Sequence, residues 1–183
     1  MFDLEACVKI IIEPEFEGTK FSRITGDLGG DTRYGITQRN YNTFRANRNL
    51  DKQSVELISI DEVTKIYEVY FFNKCRCDEM VSLGKDKLAL VVFNCDVQRG
   101  ESHAISMLQE ILGIDMQHIT GFCGPITLGF IKDCDEQNVI TKYLQMLVKH
   151  YNDEATKPDQ AKFLGDWLRR TNALAKIVGV TLV

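Results

Sequence analysis

Apolar residues recur three and four positions apart through most of this 183-residue chain, the spacing of helices that bury one face. A first apolar run at Leu4, Val8 and Ile11 predicts a short helix near the N-terminus. The longer predicted helices cover residues 63–71, 85–98, 104–112 and 139–151, and Pro158 is expected to open a last helix. The pattern therefore predicts a mainly α protein.

Local signals mark where several of these helices begin and end. Ser59 and Glu62 stand at the spacing of a capping box, which predicts a helix start at residue 60. Gly113 is expected just beyond a helix C-terminus, and Pro125 suits the first position of another helix. Trp167 falls on the apolar face of the last predicted helix and is expected to belong to the core.

Residues 21–37 differ from the rest of the chain because they combine glycines with β-favouring residues. This composition predicts a tight β-hairpin, so the expected fold class is mainly α with a small β-hairpin. The pattern changes again at Gly84, which we take as the boundary between two lobes, residues 1–84 and residues 85–183.

The clearest chemical signal is Glu17-Gly18 together with the hairpin segment that follows. A helical run leads into the single carboxylate of Glu17. Ten residues further on, the chain reads Asp27-Leu28-Gly29-Gly30-Asp31-Thr32-Arg33-Tyr34-Gly35-Ile36-Thr37. This segment predicts a hairpin that folds back beside the carboxylate, which is a way to place one acidic group in a cleft.

At these residues the chain resembles the bacterial and phage N-acetylmuramidases of glycoside hydrolase family 108. Their pattern is roughly Glu-Gly-Gly-Tyr, then Asp-Pro-Gly-Gly-x-Thr, then an aromatic residue followed by Gly-Ile-Thr. Glu17-Gly18-Thr19, the run from Asp27 to Thr32 and the run from Tyr34 to Thr37 take those places here. Thr19 replaces the second glycine, and the stretch between Glu17 and Gly29-Gly30 is one residue longer than usual.

The resemblance implies a lysozyme-like α+β fold with two closely packed lobes. It also implies cleavage of the β-1,4 bond between N-acetylmuramic acid and N-acetylglucosamine, with Glu17 as the proton donor. Asp27 and Thr32 are candidates to orient or deprotonate a water; Asp27 is equally suited to an ordinary turn, and Asp31 is a weaker rival. Further candidates, for substrate binding, are Gly18, Phe21, Gly29, Gly30, Tyr34, Thr37, Tyr70, Asn94 and Gln98.

The resemblance continues downstream. Ile66-Tyr67, Tyr70 and Phe71 stand where the family carries an Ile-Tyr and then a Tyr-Trp pair. The segments at residues 93–100, 120–127 and 167–170 look like the helical, peptidoglycan-binding type of C-terminal region. Residues 1–84 are therefore expected to form a catalytic lobe, and residues 85–183 a lobe that binds glycan strands and stem peptides.

Charge and hydropathy limit the partners and the cellular location that we expect for the protein. A formal net charge of −4 argues against nonspecific binding to nucleic acid. No cationic segment followed by an apolar core stands at the N-terminus, so we expect no signal peptide, and no apolar stretch is long enough for stable membrane insertion. The protein is expected to be a monomer made in the cytoplasm that reaches the periplasm or cell wall through a holin pore or by host lysis. Phage lysis and toxin release through the wall both agree with this expectation.

The six cysteines and three histidines lack the spacing of metal ligands, so we expect neither a metal nor another cofactor. The thiols are expected to be reduced and buried. Two alternatives stay open. One is a wall-peptide amidase or peptidase with a cysteine nucleophile, and the other is a non-catalytic peptidoglycan-binding or secretion-accessory module.

Overall fold

The structure is a computed structural model that describes residues 1–23 and 30–182. Asp27 and Gly29, two of the candidate site residues, lie outside this part of the chain. The described residues form nine α-helices and one small antiparallel sheet, so the prediction of a mainly α protein with a β-hairpin is confirmed.

The helices and strands follow one another in a simple order. The α-helices are α1 (Leu4–Ile11), α2 (Gln38–Ala46), α3 (Ile60–Tyr67), α4 (Cys77–Ser82), α5 (Asp86–Arg99), α6 (Glu101–Ile111), α7 (Pro125–Asp133), α8 (Glu136–Glu154) and α9 (Leu164–Val178). The strands are β1 (Thr32–Arg33) and β2 (Ile36–Thr37), both between α1 and α2. Short 3-10 turns occur at Val55–Leu57, Met116–His118 and Ala161–Phe163, and a π-helical turn at Glu68–Phe72 extends α3.

The chain divides into two compact units. The first comprises Leu4–Tyr70, and the second comprises Phe71–Val183 together with Met1–Asp3. The chain thus passes from one unit to the other between Tyr70 and Phe71, whereas the change of sequence pattern places the boundary at Gly84.

The first unit is held together by a polar cluster between α2 and α3. The capping box is confirmed, because the Ser59 hydroxyl accepts a hydrogen bond from the Glu62 amide (3.2 Å) and the Glu62 carboxylate accepts one from the Ser59 amide (3.1 Å). The same carboxylate pairs with Arg45 (2.6 Å) and accepts a hydrogen bond from the Tyr41 hydroxyl (2.8 Å). Both helices are therefore fixed by one carboxylate as well as by apolar packing. The buried apolar residues of this unit include Val8, Ile11, Phe44, Val63 and Ile66.

Helix α5 is the centre of the second unit. Every residue from Leu88 to Asp96 is buried, because α5 packs against α4, α6 and α8. Such burial on all sides requires a helix that is apolar around most of its circumference, and the run of residues 88–93 meets that requirement. The two polar residues buried here, Asn94 and Asp96, are each 3% exposed.

The last helix begins later than the sequence predicts. Pro158 lies in a turn in which the Gln160 amide donates to the Lys157 carbonyl (3.0 Å), and α9 starts only at Leu164. The prediction was wrong because the fixed φ of proline suits the second position of a tight turn as well as a helix start. Trp167 on α9 is half-buried and stacks on Tyr151 of α8, with ring centroids 5.1 Å apart.

Among the residues that the structure describes, none of the helices has the length and apolar character that a bilayer-spanning segment needs.

Candidate active site

Glu17 lies in the turns that follow α1 and is fixed there by backbone hydrogen bonds. Its amide donates to the carbonyl of Ile11, the last residue of α1, at 2.9 Å. The next amide, that of Gly18, donates to the Glu13 carbonyl at 3.0 Å, and Gly18 has a φ of +71°. The chain therefore turns sharply at this glycine, and the half-buried Glu17 side chain is attached to a well-defined backbone.

The hairpin is built around a two-residue turn, Tyr34-Gly35. Thr32 pairs with Thr37 and Arg33 pairs with Ile36 across the antiparallel strands. Tyr34 and Gly35 both have positive φ, +53° and +71°, as a type I′ turn requires.

A further segment pairs with β1 on its other side. The Ser22 and Thr32 backbones exchange two hydrogen bonds, at 2.8 and 2.9 Å, and so form an isolated antiparallel bridge. The short strand that leads into the turn is thus held by pairing on both of its edges.

The tip of the hairpin lies directly against the Glu17 side chain. A Cβ atom built on Gly35 would be 2.6 Å from the Glu17 Oε2 atom and 2.8 Å from its Cγ atom. The same atom would be 2.9 Å from the hydroxyl oxygen of Tyr67. Only a residue without a side chain permits this approach of backbone to carboxylate, so Gly35 has both a conformational and a steric function.

Tyr67 was not among the residues that the sequence assigns to the site. It is the last residue of α3, is 1% exposed, and donates a hydrogen bond from its hydroxyl to the Tyr34 carbonyl at 2.8 Å. An aromatic residue on a helical core face gives no sequence signal that its hydroxyl reaches a turn 33 residues earlier.

The candidates for the second chemical role differ in their surroundings. The Thr32 hydroxyl donates to the Gly30 carbonyl at 3.1 Å, so its oxygen keeps lone pairs for another donor. The Asp31 carboxylate is held by Arg23 through hydrogen bonds from Nε (3.0 Å) and Nη2 (2.9 Å). Both carboxylate oxygens of Asp31 are therefore engaged by Arg23. Asp27 lies outside the described residues.

The remaining predicted binding residues of the first unit have separate positions. Phe21 is half-buried with the Arg23 guanidinium 5.4 Å from its ring centre, and Gly30 has a φ of +66°. Thr37 is the N-cap of α2 and accepts a hydrogen bond from the Asn40 amide at 3.3 Å. The Tyr70 hydroxyl accepts a hydrogen bond from the Asn47 side chain at 3.4 Å.

Asn94 and Gln98 belong to the second compact unit, on α5, whereas Glu17 belongs to the first. Asn94 is buried, and its Nδ2 atom has no hydrogen-bond acceptor among the described residues. Gln98, one helical turn further on, is half-buried.

Asp96 is a buried acid whose environment favours the protonated form. Burial, reinforced by the nearby Glu101, raises the pKa of Asp96 to about 7, against the opposing hydrogen bond from the Cys75 thiol. Its Oδ2 atom has no donor within the described part of the chain. Since an unfolded aspartate titrates near pH ~4, the folded state binds a proton that the unfolded state releases between about pH 4 and 7.

Replacing Asp96 with asparagine is therefore expected to change stability in a pH-dependent way. The penalty for burying the ionised Asp96 is absent below about pH 4, grows as the pH rises and is complete above about pH 7. Asp96→Asn is expected to raise the free energy of unfolding by about 4 kcal/mol at pH 8 relative to the native chain, and by little at pH 4. Urea unfolding at several pH values measures this difference, and a difference independent of pH would contradict the assignment.

The cysteines do not resemble nucleophiles. All six are free, and all except Cys134 are buried. Burial raises the pKa of Cys95 and of Cys123 to about 11 and that of Cys75 higher still. These thiols are protonated at neutral pH, whereas nucleophilic attack needs the thiolate, so the cysteine-peptidase alternative gains no support.

Fold and site together define a mainly α, lysozyme-like protein with one half-buried glutamate against the turn of a small hairpin. Residues 12–100 match the family model described as Glycosyl hydrolase 108. The match covers just under half of the chain and includes Glu17, the hairpin, α3 and α5. It supports a glycoside hydrolase.

Comparison with solved structures supports the same architecture. Eleven chains match, among them one titled "Structure of Brucella abortus SagA". It aligns with a TM-score of 0.69 over 95% of this chain and 94% of its own, at 21% sequence identity. At this identity the likeness shows a shared fold. No curated protein gives a significant match.

Proposed function

We propose that this protein is a peptidoglycan hydrolase that cleaves the β-1,4 bond between N-acetylmuramic acid and N-acetylglucosamine. The observation that carries the proposal is the contact between the Glu17 carboxylate and the backbone of Gly35. Glu17 lies within the residues that match Glycosyl hydrolase 108, and its carboxylate lies against the Tyr34-Gly35 turn, close to the buried Tyr67 hydroxyl; this supports Glu17 as the acidic group. The fold shared with Brucella abortus SagA agrees with a lysozyme-like enzyme.

In this proposal Glu17 acts as general acid. Its proton passes to the glycosidic oxygen while the C1–O bond breaks and positive charge develops on the sugar ring. A fixed carboxyl group is needed, because proton transfer requires the acid within hydrogen-bond reach of the leaving oxygen. The backbone hydrogen bonds of Glu17 and Gly18, together with the Tyr34-Gly35 turn against which the carboxylate lies, hold the group in place.

A water then attacks the sugar carbon from the opposite face and loses its proton to a base. We assign this role to Asp27 with the help of Thr32, whose hydroxyl oxygen retains lone pairs that accept a hydrogen bond from the water. Two carboxyl groups about 6.5–9.5 Å apart would make the enzyme inverting.

The second unit would provide affinity for the glycan strand and stem peptide, with the half-buried Gln98 on α5 as the candidate contact. Asn94 is only 3% exposed, so its side chain would support this part of α5 from within and would not touch the substrate. The first unit would carry the chemistry, without a cofactor. A monomer made in the cytoplasm would reach the wall through a holin or after host lysis, for lysis itself or for release of a protein through the wall.

Analysis of digestion products tests the proposal. The purified protein, incubated with intact peptidoglycan, is expected to release new reducing sugar ends and no new peptide amines. Mass spectrometry of the soluble products should give muropeptides whose stem peptides remain attached. Cleaved amide bonds with intact glycan strands would instead support an amidase or peptidase, and binding without any soluble product would support a non-catalytic module.

A further inference from the structure

The turn below Glu17 contains a residue in an unfavourable conformation. Tyr34 has a φ of +53°, a left-handed backbone that bulky residues seldom adopt. The first position of a type I′ turn is normally occupied by Asn, Asp or Gly, which tolerate this conformation. A tyrosine there must be held by contacts from elsewhere in the fold.

Tyr67 supplies such a contact. Its hydroxyl donates to the Tyr34 carbonyl, the group between the two left-handed residues, at 2.8 Å. Since Tyr67 is 1% exposed on α3, water cannot easily replace this hydrogen bond. The hydroxyl oxygen also lies against Gly35, on the side where Glu17 approaches.

We infer that Tyr67 is a positioning residue for Glu17, acting through the Tyr34-Gly35 turn. The hydroxyl locks the strained turn, and the locked turn forms the surface on which the Glu17 carboxylate lies. This inference rests on the proposed role of Glu17 as general acid. It concerns the geometry of the acid, and it gives Tyr67 no direct contact with the substrate.

Tyr67→Phe tests the inference, because it removes the hydroxyl and keeps the ring. We expect kcat to fall at least ~10-fold while KM stays within about two-fold, since the acid is displaced and the binding surface is retained. Tyr143→Phe is the matched control. Tyr143 is also a fully buried tyrosine that donates to a backbone carbonyl, that of Ala104 at 2.9 Å, but in the second unit. The Tyr143→Phe variant should lose a similar hydrogen bond and have the same kcat as the native protein.

A double-mutant cycle separates positioning from a general loss of stability. Tyr34→Asn introduces a residue that adopts the left-handed conformation readily, so the turn no longer depends on the Tyr67 hydroxyl. In the Tyr34→Asn background, Tyr67→Phe is expected to lower kcat less than about three-fold. An equal loss in both backgrounds, or native kcat in Tyr67→Phe alone, would overturn the inference.

Amide hydrogen exchange measures how well the backbone of the turn is protected, independently of catalysis. Tyr67→Phe should reduce protection in residues 32–37, Tyr34→Asn should restore it, and unchanged protection in Tyr67→Phe would overturn the positioning role. Failure of the proposed function has a different signature. If the native protein produces no reducing ends, or Glu17→Gln retains full activity, the role of Glu17 fails whatever the exchange data show.

Discussion

Replacing Glu17 with glutamine is expected to lower the rate of peptidoglycan lysis at least ~100-fold, the scale of general acid catalysis. Glutamine keeps the size and most of the hydrogen-bonding capacity of glutamate but has no proton of suitable acidity. The backbone bonds that fix this residue, including the 2.9 Å bond to Ile11, are unaffected by the change. The melting temperature should therefore change little, and the reducing-end assay on purified protein measures the loss.

Glu13→Gln is the matched control for this variant. The same substitution, glutamate to glutamine, is made four residues earlier, at an exposed side chain that follows α1. It should remain within a few-fold of the native rate. Comparable rates for the two variants would remove Glu17 from its assigned role and would favour the non-catalytic alternative.

A second large effect is expected when Gly35 is replaced by alanine. The new methyl group would need to occupy a position 2.6 Å from the Glu17 carboxylate and 2.9 Å from the Tyr67 hydroxyl, so the glutamate must move. The positive φ adds a backbone cost of about 1–2 kcal/mol. Turnover is expected to fall about 100-fold, because small displacements of catalytic groups have effects of that size.

Gly84→Ala isolates the backbone contribution. Gly84 has a φ of +74°, and a Cβ atom there would meet no atom within 4 Å. Denaturant unfolding should show a loss of about 1–2 kcal/mol, with the specific activity of the folded protein retained. If Gly35→Ala loses no more activity than Gly84→Ala, the contact with Glu17 is not important for turnover.

Sequence reasoning succeeded where local chemistry determines the structure. Ser59 and Glu62 satisfy each other within one helical turn, and Pro125 begins α7 because its missing amide is not needed there. Gly113 follows α6 with a φ of +77° for a similarly local reason. Pro158 shows the limit of such signals, since the second position of a tight turn and the start of a helix both require the φ angle that proline has.

The candidate site could be predicted only in part. The hairpin follows from its glycines, and the position of Glu17 follows from the end of α1. The contribution of Tyr67 depends on how α3 packs against a turn distant in sequence, and Tyr34 is an unusual residue for its own backbone conformation. The division into compact units after Tyr70 likewise depends on packing, and the lobe boundary at Gly84 stays a prediction.

The distribution of buried thiols gives the chain a built-in set of reporters for unfolding. Cys7 belongs to the first unit, whereas Cys75, Cys77, Cys95 and Cys123 belong to the second, and all five are 0% exposed. A thiol in this setting reacts with an alkylating agent only when its surroundings open. Mass-resolved alkylation kinetics can therefore follow the opening of each unit separately, with native cysteines alone and no engineered ones.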